Sequence, residues 1–203
     1  YFDKSHLARK KRSVVYNGID LSLNNNSKLK EKKKKIGAIA NKWSDLKGIG
    51  DIIKLSPKLK SNYTIEIVGK GIERSLFENY KNVYFREEIK CERDLISFYR
   101  SCDVIFNPSY GETFGLVLAE SLAQRTPVVA YKLDAFQEIY QDYNYIKLFS
   151  QGDIESILIG IYSFCEKELS SDKWTEDHLK LKQLSAKNLA KNYENIYFEV
   201  LKK

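Results

Sequence analysis

Short apolar runs of β-type residues recur along the chain, each closed by a Gly, Asn, Asp or Pro loop and followed by a helical pattern. This alternation constrains the fold more than any single residue does. The runs are Ile36 to Ala40, Tyr63 to Val68, Asn82 to Phe85, Asp103 to Phe106, Thr126 to Tyr131 and Asn144 to Leu148. Between them lie helical patterns from Lys47 toward Leu59, over Ile72 to Tyr80, over Asp94 to Cys102, from Thr113 onward and from Ile154 to Leu169. Strands that alternate with helices pair in parallel, and both faces of such a sheet are covered. The expected fold class is α/β, a Rossmann-like parallel sheet with helices on both faces. With 203 residues, the chain is long enough for one sizeable core with appendages. In sheets of this kind ligands bind at the carboxyl ends of the strands.

One strand end carries more chemistry than the others. Asn107-Pro-Ser-Tyr-Gly-Glu112-Thr-Phe-Gly-Leu-Val-Leu-Ala-Glu120 leaves a buried strand, turns at Pro108 and Gly111 and enters an apolar helix expected to begin near Thr113. The amides of Gly115, Leu116 and Val117 then fall among the unpaired donors of a first turn, a ready site for an anion. Glu112 stands ahead of that turn and Glu120 within the helix, where six residues rise about 9 Å. An isolated Glu pair is ordinarily solvated, but Glu120 is flanked by Ala119, Leu122 and Ala123. An unpartnered carboxylate in such a helix is costly.

Glu, seven residues, Glu, after an Asn-Pro-Ser strand end and before an apolar helix, closely resembles the donor site of retaining glycosyltransferases of the GT-B fold (glycosyl transferases group 1, family 4). The resemblance covers about residues 14 to 165, one donor-binding half of that fold. It implies that Glu112 contacts the transferred sugar, that Glu120 holds the ribose hydroxyls, and that the backbone from Phe114 through Gly115 and Leu116 to Val117 binds the diphosphate. Asn41-Lys-Trp-Ser-Asp-Leu-Lys-Gly48 resembles the element whose two cations also bind the diphosphate, here Lys42, where Arg is usual, and Lys47. Lys in place of Arg keeps the charge and loses the planar fork. Gly69-Lys70-Gly71 and the loop at Arg86 correspond to nucleotide loops, with Arg86 where Gly is frequent. Arg125 also stands where the family usually has Gly. Asp134 to Glu138 matches a Gly-rich loop of which Glu138 is the surviving part, read as structural. Asn17-Gly-Ile-Asp20 resembles the element that opens the donor half, after a short strand over Val14 to Tyr16.

By the same resemblance the reaction is sugar transfer from a nucleotide diphosphate sugar to a glycan or lipid-linked acceptor, with retention at the anomeric carbon. No metal and no cofactor besides the co-substrate is expected. Neither Glu is read as a proton donor. Rival readings are a nucleotide-sugar epimerase of the same architecture and a basic anion- or nucleic-acid-binding module.

The charge pattern argues against the last of these. Residues 1–35 hold eleven Lys and Arg against three acids, a local +8, which leaves −1 for the remainder of a chain of net charge +7. Ser22 to Lys35 reads first as a solvated loop and second as a contact with an anionic membrane surface. Cys91, Cys102 and Cys165 show no metal-ligand spacing and read as reduced thiols of a cytoplasmic protein, peripheral at the inner membrane face in the second reading. His6 and His178, the two histidines, lie in polar surroundings, so histidine-based catalysis is not expected. The chain lacks Met and begins at Tyr1, and is read as a fragment whose acceptor-binding N-terminal domain is missing. The expected organisation is a linker remnant over residues 1–13, a donor-binding domain over 14–170 and a helical segment over 171–203. In that last segment Leu179, Leu181, Leu184, Leu189, Tyr193, Ile196 and Tyr197 recur at helical spacing and read as core.

Overall fold

The computed structural model describes residues 15–19 and 33–201. The remnant over 1–13, Val14 of the expected first strand and the polar run over 22–32 lie outside the described residues.

Six parallel strands form one sheet, β1 (Lys34–Lys42), β2 (Tyr63–Lys70), β3 (Val83–Arg86), β4 (Val104–Asn107), β5 (Val128–Tyr131) and β6 (Ile146–Phe149). Their spatial order is β3-β2-β1-β4-β5-β6, so the chain winds toward one edge from β1 and toward the other from β4. The helices are α1 (Ile49–Leu55), α2 (Glu92–Ser101), α3 (Leu116–Ala123), α4 (Asp134–Tyr140), α5 (Ile154–Cys165), α6 (Ser171–Leu181) and α7 (Ala186–Leu201). Right-handed crossovers running in opposite directions place α1 and α3 on opposite faces. In keeping with this, α5 packs beside α1, and α6 packs on α3.

The central strands are buried on both sides, with β4 and β5 inaccessible along their whole length. The outer strand β3 alternates half-buried and exposed positions, as an edge must. The lysine run that reads as a loop ends earlier than expected, because Lys34 and Lys35 belong to β1 and pair with Tyr63 and Thr64 of β2. Lys34 Nζ lies 3.3 Å from Asp103 Oδ1, and Lys35 pairs with Glu66, so these two cations serve the sheet.

Four local expectations are corrected. Residues 15–18 form no strand, and Ile19 makes only an isolated bridge to Ser185. Ile72 to Tyr80 forms a single 3-10 turn at Arg74–Phe77 rather than a helix. Asp134 to Glu138 is the start of α4 rather than a loop, because Phe136 is fully buried and anchors it in the core. The last helical region is interrupted at Lys182–Leu184, and it packs inward through Trp174, Asp177 and Leu181 of its first part and Leu184 of the interruption. The helix α7 has no buried residue, with Tyr193, Tyr197 and Phe198 exposed. Periodicity shows which side of a helix is apolar, not whether anything within the described residues covers it.

Candidate functional site

The sheet reverses its winding between β1 and β4, and the loops leaving these two strands meet. Gly48 makes their close approach possible. It adopts φ 73°, and a Cβ built there lies 2.1 Å from the carbonyl oxygen of Pro108. The contact is sealed by the amide of Tyr110, which donates to the Leu46 carbonyl at 2.9 Å. Lys47, one residue before the glycine, is thereby brought to Glu112, with Nζ 2.5 Å from Oε1. The same oxygen accepts from Ser109 Oγ at 3.0 Å, and Asn107 Oδ1 accepts from the Ser109 amide at 3.1 Å. A cation and a carboxylate are thus oriented side by side at the switch point of the sheet, where such folds bind ligands.

A buried carboxylate missing from the sequence reading braces this junction. Asp51, on the first turn of α1 and 2% exposed, accepts hydrogen bonds from Tyr110 (2.5 Å), Tyr131 (2.8 Å) and Lys54 (2.8 Å). Burial by itself pushes its pKa up, but the bonds from Lys54, Tyr110 and Tyr131 outweigh burial and hold it below the ordinary value. The clue was available in the sequence, where Asp51 is flanked by Ile49, Ile52 and Ile53.

The helix α3 begins at Leu116, later than the expected Thr113, because Gly115 takes the left-handed conformation at φ 81°. A Cβ at Gly115 would lie 2.4 Å from a ring carbon of Phe136, so the turn also needs a residue without a side chain. Within the described residues the amides of Leu116 and Val117 donate to no backbone carbonyl, whereas that of Leu118 is spent on the Gly115 carbonyl at 2.9 Å. Phe114 contributes through packing as well, being buried with its ring 6.1 Å from that of Tyr140.

Glu120 sits one turn into α3 and faces α2. It lines a cleft of about 290 Å³ together with Gly18, Ile19, Leu95, Ile96, Tyr99 and Leu116. Its Oε2 accepts from Tyr99 Oη at 2.8 Å. Burial pushes the Glu120 pKa up, the Tyr99 hydrogen bond opposes that, and the charge of Glu92 adds to it. In the sequence Tyr99 is one residue of the helical pattern over Asp94 to Cys102. Its hydroxyl was the overlooked signal, since a buried tyrosine needs a partner.

The remaining expected residues lie around this centre. Lys42 ends β1, exposed, with its stem close to Gly71, and Gly69 is the penultimate residue of β2, against the Ala40 carbonyl of β1. Trp43, unremarked in the sequence, is buried and donates from Nε1 to the Val68 carbonyl at 2.9 Å, fixing this loop to β2. Arg86 is the exposed last residue of β3. Glu138 accepts a short hydrogen bond from Tyr16, whose ring lies 6.4 Å from that of Phe114. The structure therefore brings Lys47 to Glu112 directly. It sets Lys42, at the end of β1, beside Gly71, which follows β2, and places Glu120 on the α2 side of the helix start. Arg86 stands apart at the sheet edge.

A family model described as "Glycosyl transferases group 1" matches residues 22–180. The chain belongs to that family. It is 26% identical over 208 residues to the "O-antigen biosynthesis glycosyltransferase WclY" of Escherichia coli, an alignment covering 92% of this chain and 55% of the relative. A phosphatidyl-myo-inositol mannosyltransferase of Mycolicibacterium smegmatis is 34% identical over 125 residues, covering 57% of this chain and 32% of that enzyme. The chain thus spans about half the length of the first of these relatives. Among solved structures, Anabaena HepE in complex with UDP and glucose superposes with a TM-score of 0.77 at 18% identity, over 91% of this chain and 56% of that one. Staphylococcus aureus TarM in a complex that includes UDP gives a TM-score of 0.77 at 16% identity, over 91% of this chain and 39% of that one. These likenesses establish the same α/β fold for this group 1 glycosyltransferase sequence. No helix among its described residues is long and apolar enough to cross a membrane.

Proposed function

We propose that the chain is the donor-binding half of a retaining glycosyltransferase, which moves a sugar from a nucleotide diphosphate sugar to a glycan or lipid-linked acceptor. The observation that carries this reading is the meeting of Lys47 with Glu112 at the switch point, beside a helix start with unspent amides. The relatives support the class of chemistry, one being named for O-antigen biosynthesis and one solved with UDP and glucose.

In this reading Lys47, Lys42 and the amides of Leu116 and Val117 neutralise the diphosphate as it leaves, an interaction that strengthens as charge builds in the transition state. Glu112 orients the sugar ring by accepting from its hydroxyls. Lys47 pairs with Glu112, and in this reading a donor phosphate takes the place of the carboxylate as the lysine's partner. Glu120 accepts from the ribose.

The test is calorimetry of the chain with UDP, GDP and ADP. The expected result is saturable binding of at least one of them, weakened by Lys47→Ala. The reading fails if none binds, or if Lys47→Ala leaves affinity unchanged.

A further inference from the structure

Tyr99 is 1% exposed, and its hydroxyl has one partner of consequence, the Oε2 of Glu120 at 2.8 Å. A buried phenol of this kind stays protonated, because burial first and the neighbouring carboxylate second push its pKa well up. It is therefore an obligatory donor, and it donates to a carboxylate that lines an open cleft. Backbone contacts fix the tyrosine further, since Thr126 Oγ1 donates to the Tyr99 carbonyl at 2.8 Å. The backbone of the tyrosine is thus held by Thr126, ahead of β5, while its hydroxyl reaches α3.

We propose that Tyr99 is the positioning residue for the nucleotide-binding carboxylate: its hydroxyl occupies one oxygen of Glu120 and leaves the other to accept from ribose in the cleft. This rests on the reading of Glu120 as the ribose ligand. Without the tyrosine, Glu120 has two free oxygens, a wider choice of rotamers and a higher pKa. All three changes weaken a directed charged hydrogen bond. The groups acting on Glu120 from its surroundings are Tyr99 and Glu92 on α2 and Tyr140 on α4. On α6, which also packs on α3, His178 is influenced by Lys182 and Arg125.

The experiment is titration of the chain with UDP, GDP and ADP and the 2′,3′-dideoxy form of whichever binds, across pH 4 to 8, for wild type, Tyr99→Phe and Glu120→Gln. Tyr99→Phe is expected to weaken the ribose nucleotide roughly three- to tenfold and to move the acid limb of binding to higher pH. The dideoxy form should lose little. Glu120→Gln should lose the part of the acid limb that the carboxylate contributes, leaving that of the nucleotide's terminal phosphate near about pH 6, and in that background Tyr99→Phe should not shift the limb further. Tyr99→Met, a second side chain without a hydroxyl, must shift the limb in the same direction, which separates positioning from loss of packing. Unchanged affinity and acid limb in Tyr99→Phe, with Glu120→Gln weakened, overturn the role of Tyr99 alone. Unchanged affinity in Glu120→Gln, or no binding by wild type, overturns the ribose reading as well.

Discussion

At the scale of single residues, two carboxylates in apolar helices behave oppositely with pH. Asp51 has a depressed pKa, so its stabilising bonds are fully present above the unfolded value of 3.8 and are lost as pH falls through the lower folded value. Glu120 has a raised pKa, so the penalty of its ionisation develops as pH climbs past the unfolded value of 4.5. Asp51→Asn should cost about 1.5–3 kcal/mol at neutral pH, the size of lost charged hydrogen bonds, and should flatten the acid limb of a denaturation series. Arg125 offers a contrasting case. It is the non-glycine residue with positive φ among those described, at 55°, and it stands where the family usually has Gly. Arg125→Gly should raise stability by about 0.5–1 kcal/mol, the relief of left-handed strain less the entropy cost of glycine, as thermal melts would show. Glu120 and Asp51 present the same pattern in the sequence, an acid among aliphatic neighbours. Only the first was read as functional, because only the first falls within a recognised spacing.

At the scale of elements, the start of α3 decides the site. Sequence signals placed it at Thr113, from the turn residues before it, whereas the left-handed Gly115 delays it to Leu116. That conformation depends on Phe136, which arrives from α4 and leaves no room for a Cβ. A contact across 21 residues is not written in local propensity, and the same contact turned the expected loop at Asp134 into a helix. Gly115→Ala should therefore destabilise the fold by about 2 kcal/mol or more and weaken nucleotide binding, since the amides of Leu116 and Val117 would be re-aimed. Equal melting temperatures for the variant and the wild type would contradict this account. The strands, by contrast, were legible to within a few residues, because central parallel strands must be apolar throughout.

At the scale of the molecule, the alternation of strand and helix is enough to find the sheet, and the candidate site lies at the two strands between which its winding reverses. The face of α7 was not legible, because Tyr193, Tyr197 and Phe198 follow the spacing of a core helix and are nevertheless exposed. The chain spans 55% of the length of the E. coli relative. On the proposed donor-binding reading, it should bind nucleotide but transfer sugar far more slowly than a longer protein that also carries an acceptor-binding half. Equal turnover by the two would contradict that division of labour.

The central claim is that Lys47, the α3 amides and Glu120 form one nucleotide diphosphate site, and it is tested most directly by calorimetry. One of UDP, GDP and ADP should bind the chain, Glu120→Ala should weaken it by about 1.5–3 kcal/mol, and Lys47→Ala should weaken it independently. Affinity unchanged by either substitution would contradict the account.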